Sequence, residues 1–216
     1  MNLKSVKFNY LKLNILFILI VSFYSLRSQP VTISGKITNP NGNKISIRTF
    51  GYSKEIKVSK KGEFRDTLHV KSGEYSLTDF KESTSIYLEP GYDLYLTLNT
   101  NEFDESLKYK GIGEKPNNFL AHYFLYNEKN TLSNKEYNLI SEKDFYNLET
   151  NNKKKLMEML EKAVDDNSTF VSLQKDKFYY RMLTNILRKS GNSFFNSNSS
   201  NSISDFLENS IKNIQF

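Results

Sequence analysis

The sequence predicts an α+β protein in which an antiparallel β-sandwich or partial barrel, residues 30–113, is followed by an α-helical region, residues 114–216. Two observations predict this order. Between Val31 and Lys110 apolar residues alternate with polar ones, and turn signals recur about every eight to twelve residues, as they do in antiparallel sandwiches. Beyond Gly113 the apolar residues recur at helical spacing instead.

The strand prediction rests on period-two alternation, which places one side of a strand on a core and the other in water. Leu94, Leu96 and Leu98 are separated by single polar or amphipathic residues, so we expect the three leucines to be buried together. A further segment, Val58–Phe64, predicts a β-hairpin with Gly62 in its tight position. The other turn signals are Asn39–Gly42, Ser72–Gly73 and Glu89–Gly91.

Helix boundaries are predicted by capping sequences. Ser133 and Glu136 have the spacing of a capping box, and Ser141 with Asp144 gives a similar signal. The segment Ser190–Ser204 is rich in Ser and Asn and predicts a loop, followed by a last helix over Asp205–Ile214. Apolar residues at helical spacing form two further groups: Leu156, Met159, Leu160 and Ala163; and Tyr179, Met182, Leu183, Ile186 and Leu187.

Residues 1–29 have the order of a secretory signal peptide. Three lysines precede the apolar run Leu13–Val21, and Ser28 supplies a small residue before the expected cleavage site. The alternative is a retained membrane anchor, but the run is shorter than the roughly 20 residues that span a bilayer. We therefore expect an exported protein, located in the periplasm or the outer cell envelope.

Composition excludes several classes of function. The net charge of +6 includes four basic residues within residues 1–29, which contain no acid, so the rest of the chain carries only +2. Its lysines are interspersed with Asp and Glu, whereas a nucleic-acid surface needs a concentrated basic patch. The sequence contains no cysteine, which excludes disulfides, thiolate catalysis and cysteine-bound zinc within this chain.

The titratable residues do not form a recognisable catalytic or metal motif. His69 with Asp66, or His69 with His122, would be the candidates for a general base or a metal pair, but no HExxH-like spacing supports either. Hydrolysis of glycosides needs two facing carboxylates, and no motif here identifies such a pair. The carboxylate candidates are Glu63, Asp66, Glu89, Asp93, Asp104 and Glu105. We therefore predict no catalytic and no metal-binding residue.

Three remaining features are interpreted structurally. Gly111 and Gly113 lack the third glycine of a dinucleotide loop and predict a turn between the two regions, so no cofactor is expected. The run Lys153–Lys155 is typical of a solvated helix face. An aromatic stripe at helical spacing predicts core packing rather than a binding groove: Phe119, Tyr123, Phe124 and Tyr126.

Several short sequence segments, which follow one another in a fixed order, carry a family resemblance. They are Ile33–Pro40, Gly62–Leu68, Gly73–Tyr75, Ile86–Leu94, Phe103–Glu105, Tyr109–Gly113 and Asn117–Ala121. Together they resemble the N-terminal region of TlpA-like, thioredoxin-family exported proteins of Bacteroidota, over about residues 31–125. The resemblance implies a signal peptide, a β-rich domain, a helical stretch and then a thioredoxin domain with a WCxxC motif. This chain lacks cysteine, so none of its residues matches the family's redox site.

The resemblance implies a non-catalytic exported accessory or binding module, with a thioredoxin-like protein or its substrate as partner. One alternative is a fragment of a complete disulfide reductase whose catalytic domain would follow Phe216. Another is an envelope adhesion or carbohydrate-binding β-sandwich. We expect no nucleic-acid partner, and contact with the membrane only through the signal segment before cleavage.

Overall fold

The computed structural model describes residues 29–164 and 168–196. The chain divides into two compact units. The β unit comprises the described residues up to Asn101 together with Tyr109–Gly113, and the helical unit comprises Glu102–Lys108 and the described residues from Glu114 onward. Most of the predicted export segment, residues 1–28, lies outside the described residues. None of the described helices combines the length and apolar character needed to cross a membrane.

The described strands of the β unit form two four-stranded sheets, which confirms the α+β class and gives two open sheets rather than a closed barrel. The strands are β1 Val31–Thr38, β2 Lys44–Thr49, β3 Tyr52–Lys57, β4 Glu63–Leu68, β5 Gly73–Thr78, β6 Ser83–Leu88, β7 Asp93–Asn99 and β8 Lys108–Ile112. One sheet has the order β4-β1-β7-β8 and the other the order β3-β2-β5-β6.

One strand pair departs from the predicted antiparallel arrangement. β1 is antiparallel to β4 but parallel to β7, with Gly35 opposite Phe64 on one side and opposite Leu96 on the other. Parallel neighbours need a long connection. The chain between β1 and β7 supplies it, because that stretch builds β4 and all four strands of the second sheet.

The predicted leucine face of β7 is confirmed. Leu94, Leu96 and Leu98 are 0%, 0% and 5% exposed. Other branched aliphatic residues from both sheets are buried in the same unit, among them Ile33 on β1 and Ile47 on β2. The period-two pattern therefore identified the core-facing side of this strand correctly.

The predicted hairpin at Val58–Phe64 is wrong in its pairing, although its tight turn is present. Gly62 has φ +79° and donates its N–H to the Ser59 carbonyl at 2.8 Å. β3 and β4, however, belong to different sheets, so this turn carries the chain from one sheet to the other. The physical reason is that β4 finds its partner in β1: the Ile37 N–H donates to the Gly62 carbonyl at 2.8 Å, and a Cβ at position 62 would collide with the Ile37 carbonyl oxygen.

Both predicted helix caps are confirmed. Ser133 and Glu136 form a reciprocal capping box, and the Ser141 side chain accepts from the Asp144 N–H at 3.1 Å. The α-helices of the helical unit are α1 Phe103–Ser106, α2 Glu114–Asn130, α3 Asn134–Leu139, α4 Glu142–Ala163 and α5 Ser168–Asn196. A 3₁₀ turn, Thr100–Glu102, precedes α1.

The loop predicted from Ser190 is wrong over residues 190–196, because α5 continues to Asn196. Ser190 is buried, and its hydroxyl donates to the Ile186 carbonyl at 3.1 Å, which satisfies the side chain inside the helix. Back-bonding of this kind lets a serine occupy a helix interior. The rest of the predicted loop and the predicted helix Asp205–Ile214 lie outside the described residues.

The helical unit has its own aromatic core. Phe119 of α2 lies 5.9 Å from Phe170 and 6.2 Å from Phe178, both on α5, measured between ring centroids. Leu156 and Leu160 of α4 are buried in the same unit. Phe124 was predicted to join this core but is 41% exposed, because the buried side of α2 passes through Pro116, Phe119 and Leu120.

Candidate functional site

The histidine candidates do not form a site. His69 is exposed just after β4, and His122 is exposed on α2. Asp66 forms an ion pair with Lys54, with 3.3 Å between Nζ and Oδ2, and accepts from the Thr67 N–H at 2.7 Å. No group of three or more His, Cys, Asp or Glu in the described parts of the chain could hold a metal ion.

Two of the other carboxylate candidates make local contacts, and three are exposed or lie at the start of an element. Glu63 lies 3.8 Å from the Lys36 ammonium, and Glu89 accepts from the hydroxyls of Tyr87 and Tyr92 at 3.4 and 3.5 Å. Burial, with the nearby Glu89 carboxylate as the next cause, raises the pKa of the Tyr87 phenol. Asp93 is exposed at the start of β7, and Asp104 and Glu105 lie in the first turn of α1.

The glycine pair is a packing feature. Gly111 has φ +98° within β8, where a Cβ would collide with the Asp93 carbonyl oxygen. Gly113 has φ +99°, and a Cβ there would strike the ring of Tyr92. Gly113 lies in a turn, as predicted. Gly111 does not, because it lies within strand β8.

The helical unit contains a cleft of about 350 Å³ with a mixed polar and apolar lining, which we call the asparagine cleft. It lies between the end of α2, the segment after it, and helices α3, α4 and α5. Its lining residues are Asn130, Thr131, Leu132, Asn134, Tyr137, Phe145, Leu148, Glu149, Asn152, Arg181, Asn185 and Arg188.

Arg181 of α5 is held in place by α2. Its Nη1 donates to the Tyr123 hydroxyl at 2.9 Å and to Asn127 Oδ1 at 2.5 Å. The guanidinium carbon also lies 5.9 Å from the centre of the Tyr123 ring, within the range of a cation–π contact. These contacts fix the orientation of the Arg181 side chain. They use one guanidinium nitrogen, Nη1, and one face of the guanidinium group.

Glu149 of α4 is the carboxyl group of the cleft. Its Oε2 accepts from Asn185 Nδ2 at 3.0 Å. Burial raises the pKa of Glu149, although the Asn185 hydrogen bond and the charge of Arg181 both act to lower it. A carboxyl group of this kind takes up a proton more readily than one in water.

The wall of the cleft near α3 is aromatic. Tyr137 and Phe145 pack edge to face with 5.4 Å between ring centroids. The Lys189 ammonium lies 4.8 Å from the centre of the Tyr137 ring and donates to the Tyr137 carbonyl at 2.5 Å. The Tyr137 hydroxyl is buried and has no hydrogen-bond partner among the described residues.

The buried hydroxyl makes Tyr137→Phe a stabilising substitution. Removing an unpaired hydroxyl ends its desolvation cost, while the ring contact and the carbonyl contact with Lys189 remain. We expect the free energy of unfolding to rise by about 1 kcal/mol, measured by urea denaturation. Tyr126→Phe is the control, because the Tyr126 hydroxyl donates to Asn152 Oδ1 at 3.3 Å and its loss should not stabilise the protein. A less stable Tyr137→Phe variant would contradict this account.

Sequence reasoning missed the asparagine cleft. Arg181, Asn185 and Arg188 follow helical spacing beside the buried residues of α5, so a polar stripe could have been read from that spacing. Glu149 and Asn152 repeat it on α4. These polar residues of α4 and α5 lie close together only because the two helices pack against each other. The sequence pattern of either helix alone does not show that packing.

The fold and the cleft define an α+β protein with a two-sheet β unit and a helical unit that carries a cleft of about 350 Å³. No family model matches the chain, and no curated protein matches it.

Two solved structures are similar to part of the chain. A DUF3823 family protein from Bacteroides ovatus shares 13% identity over 31% of this chain and 42% of its own, with a TM-score of 0.25. A DUF3823 family protein from Parabacteroides merdae shares 17% identity over 39% of this chain and 47% of its own, with a TM-score of 0.24. Each match spans less than half of the neighbour's length, and TM-scores of this size establish no shared fold.

Proposed function

We propose that the chain is an exported, non-catalytic binding module of the bacterial cell envelope that acts beside thiol–disulfide exchange. The observation that carries the binding role is the asparagine cleft, in which Arg181 is fixed by hydrogen bonds from α5 to α2. Clefts of a few hundred Å³ with a few oriented polar groups are typical ligand sites. The TlpA-like resemblance supports the connection with disulfide exchange, and a thioredoxin-like protein or its substrate is the proposed partner.

The residues of the cleft favour binding over catalysis. Arginine stays protonated at physiological pH, so Arg181 and Arg188 can hold an anion but cannot exchange protons. Glu149 is the one carboxyl group among the lining residues, whereas hydrolysis of glycosides by the common mechanism needs two. The sequence has no cysteine to supply a thiolate.

A reductase assay tests the non-catalytic part of the proposal. Disulfide exchange proceeds by attack of a thiolate on a disulfide sulfur, and thioethers of methionine do not replace a thiolate. Purified residues 30–216 should therefore reduce insulin, with dithiothreitol as electron donor, no faster than the buffer control at any pH.

The same assay is then repeated with a thioredoxin-fold reductase present. The chain is also titrated by calorimetry with the reductase and, separately, with insulin as the substrate of the reductase. We expect binding to at least one of the two. Turnover by the chain alone would refute the non-catalytic role, and absence of binding to both the reductase and its substrate would refute the accessory role.

A further inference from the structure

We propose that the asparagine cleft binds a small sugar acid, a single-ring ligand that carries one carboxylate and several hydroxyls. The proposal deepens the binding role above and rests on it. It is argued from the charge, the hydrogen-bonding capacity and the size of the cleft.

The charge of the cleft favours an anion. Arg181 and Arg188 both line it, against one carboxyl group, Glu149, whose pKa is raised by burial. Arg188 is exposed, and none of the described residues forms a hydrogen bond or an ion pair with it. A guanidinium pairs with a carboxylate through two parallel hydrogen bonds, which fixes the orientation of the anion.

The asparagines favour hydroxyl groups. Asn130 donates through Nδ2 to the Tyr126 carbonyl at 2.7 Å, and Asn185 donates through Nδ2 to Glu149, so each retains its Oδ1 as an acceptor. Asn152 accepts the Tyr126 hydroxyl at its Oδ1 and retains its Nδ2 donors. A ligand matched to these residues must both donate and accept hydrogen bonds, as hydroxyls do. Fully ionised dicarboxylates, by contrast, only accept hydrogen bonds.

Size and shape favour one sugar ring. A volume of about 350 Å³ lies at the small end of ligand sites and leaves little space for a nucleotide or a long peptide. Tyr137, Phe145 and Leu148 give one wall an apolar character, which suits the C–H face of a pyranose. The polar lining residues suit its hydroxyls.

The proposal is tested by calorimetric titration of residues 30–216 with D-glucuronate, D-glucose and glutarate. Glucuronate supplies the carboxylate and the hydroxyls, glucose only the hydroxyls, and glutarate only carboxylates. We expect glucuronate to bind at least about tenfold more tightly than glucose, which lacks the charged group, and more tightly than glutarate, which lacks the hydroxyls. Added salt should weaken the binding of glucuronate more than that of glucose.

Two variants locate the site. Arg188→Gln should weaken the binding of glucuronate about tenfold or more, whereas Arg65→Gln, which removes an exposed arginine from β4 of the β unit, should leave it unchanged. Absence of glucuronate binding, equal binding of glutarate, or an unaffected Arg188→Gln variant would each overturn the proposal. These results are independent of the insulin and partner assays, so the sugar-acid proposal can fail while the accessory role stands.

Discussion

Leu96→Asp is expected to unfold the β unit. Leu96 is fully buried at the centre of β7, where it lies opposite Gly35 of β1 in the parallel register. An aspartate there loses about 2–5 kcal/mol of apolar packing, as large-to-small substitutions in cores do. It also buries a charge without a partner, which costs several kcal/mol more. The combined cost approaches or exceeds the roughly 5–15 kcal/mol that stabilises a typical domain.

The neighbouring residue supplies a matched control. Tyr95 lies on the opposite side of β7 and is 44% exposed, so Tyr95→Asp places the same charge in water. Far-UV circular dichroism and urea denaturation of residues 30–216 should show loss of the β signal in Leu96→Asp only. A folded Leu96→Asp protein with the denaturation midpoint of the unsubstituted chain would show that this side of β7 does not face the core.

How much the sequence predicts differs between local and distant interactions. The leucine alternation on β7 and the caps at Ser133 and Ser141 are local patterns, and the structure confirms each of them. The pairing of β3 and β4 is not local. The turn at Gly62 looks the same in sequence whether its strands pair with each other or enter different sheets, and only the fit of β4 beside β1 decides between them.

The same distinction applies to the candidate site. Charged and amide residues on α4 and α5 are ordinary surface residues when each helix is read alone. They become a cleft because Glu149 and Asn185 meet across two helices, and because Arg181 reaches Tyr123 on a third. The histidines and carboxylates were considered as site candidates because of their residue type. Residue type alone does not determine which side chains lie close together in the fold.

Asp79 shows how a buried charge organises the loop between β5 and β6. Burial would raise the pKa of this carboxyl, but hydrogen bonds to its charged form outweigh burial and lower the pKa. The donors are the Glu82 N–H at 2.8 Å, the Asn41 side chain at 2.5 Å and the Lys81 N–H at 3.0 Å. Lys81 donates in turn to Asn41 Oδ1 at 2.7 Å, so the carboxylate anchors a connected network.

Asp79→Asn should therefore destabilise the protein by about 2 kcal/mol at pH 7, the scale of a lost charged hydrogen bond. An asparagine has the same shape, but its amide presents a second donor to Asn41 and its oxygen carries no full charge. Because the folded pKa of Asp79 is lowered, its stabilisation is fully present above the unfolded value of about 3.9 and disappears as pH falls through the folded pKa.

The stability difference between the unsubstituted chain and Asp79→Asn should accordingly be constant from pH 7 to about pH 5 and should shrink below about pH 4. Urea denaturation of residues 30–216 at several pH values between 7 and 2.5 measures it. Asp93→Asn is the control, because Asp93 is an exposed carboxylate of the same unit and its substitution should change stability little at any of these pH values. A gap for Asp79→Asn that stays constant down to pH 2.5, or that widens, would mean that the ionised carboxylate does not stabilise this loop.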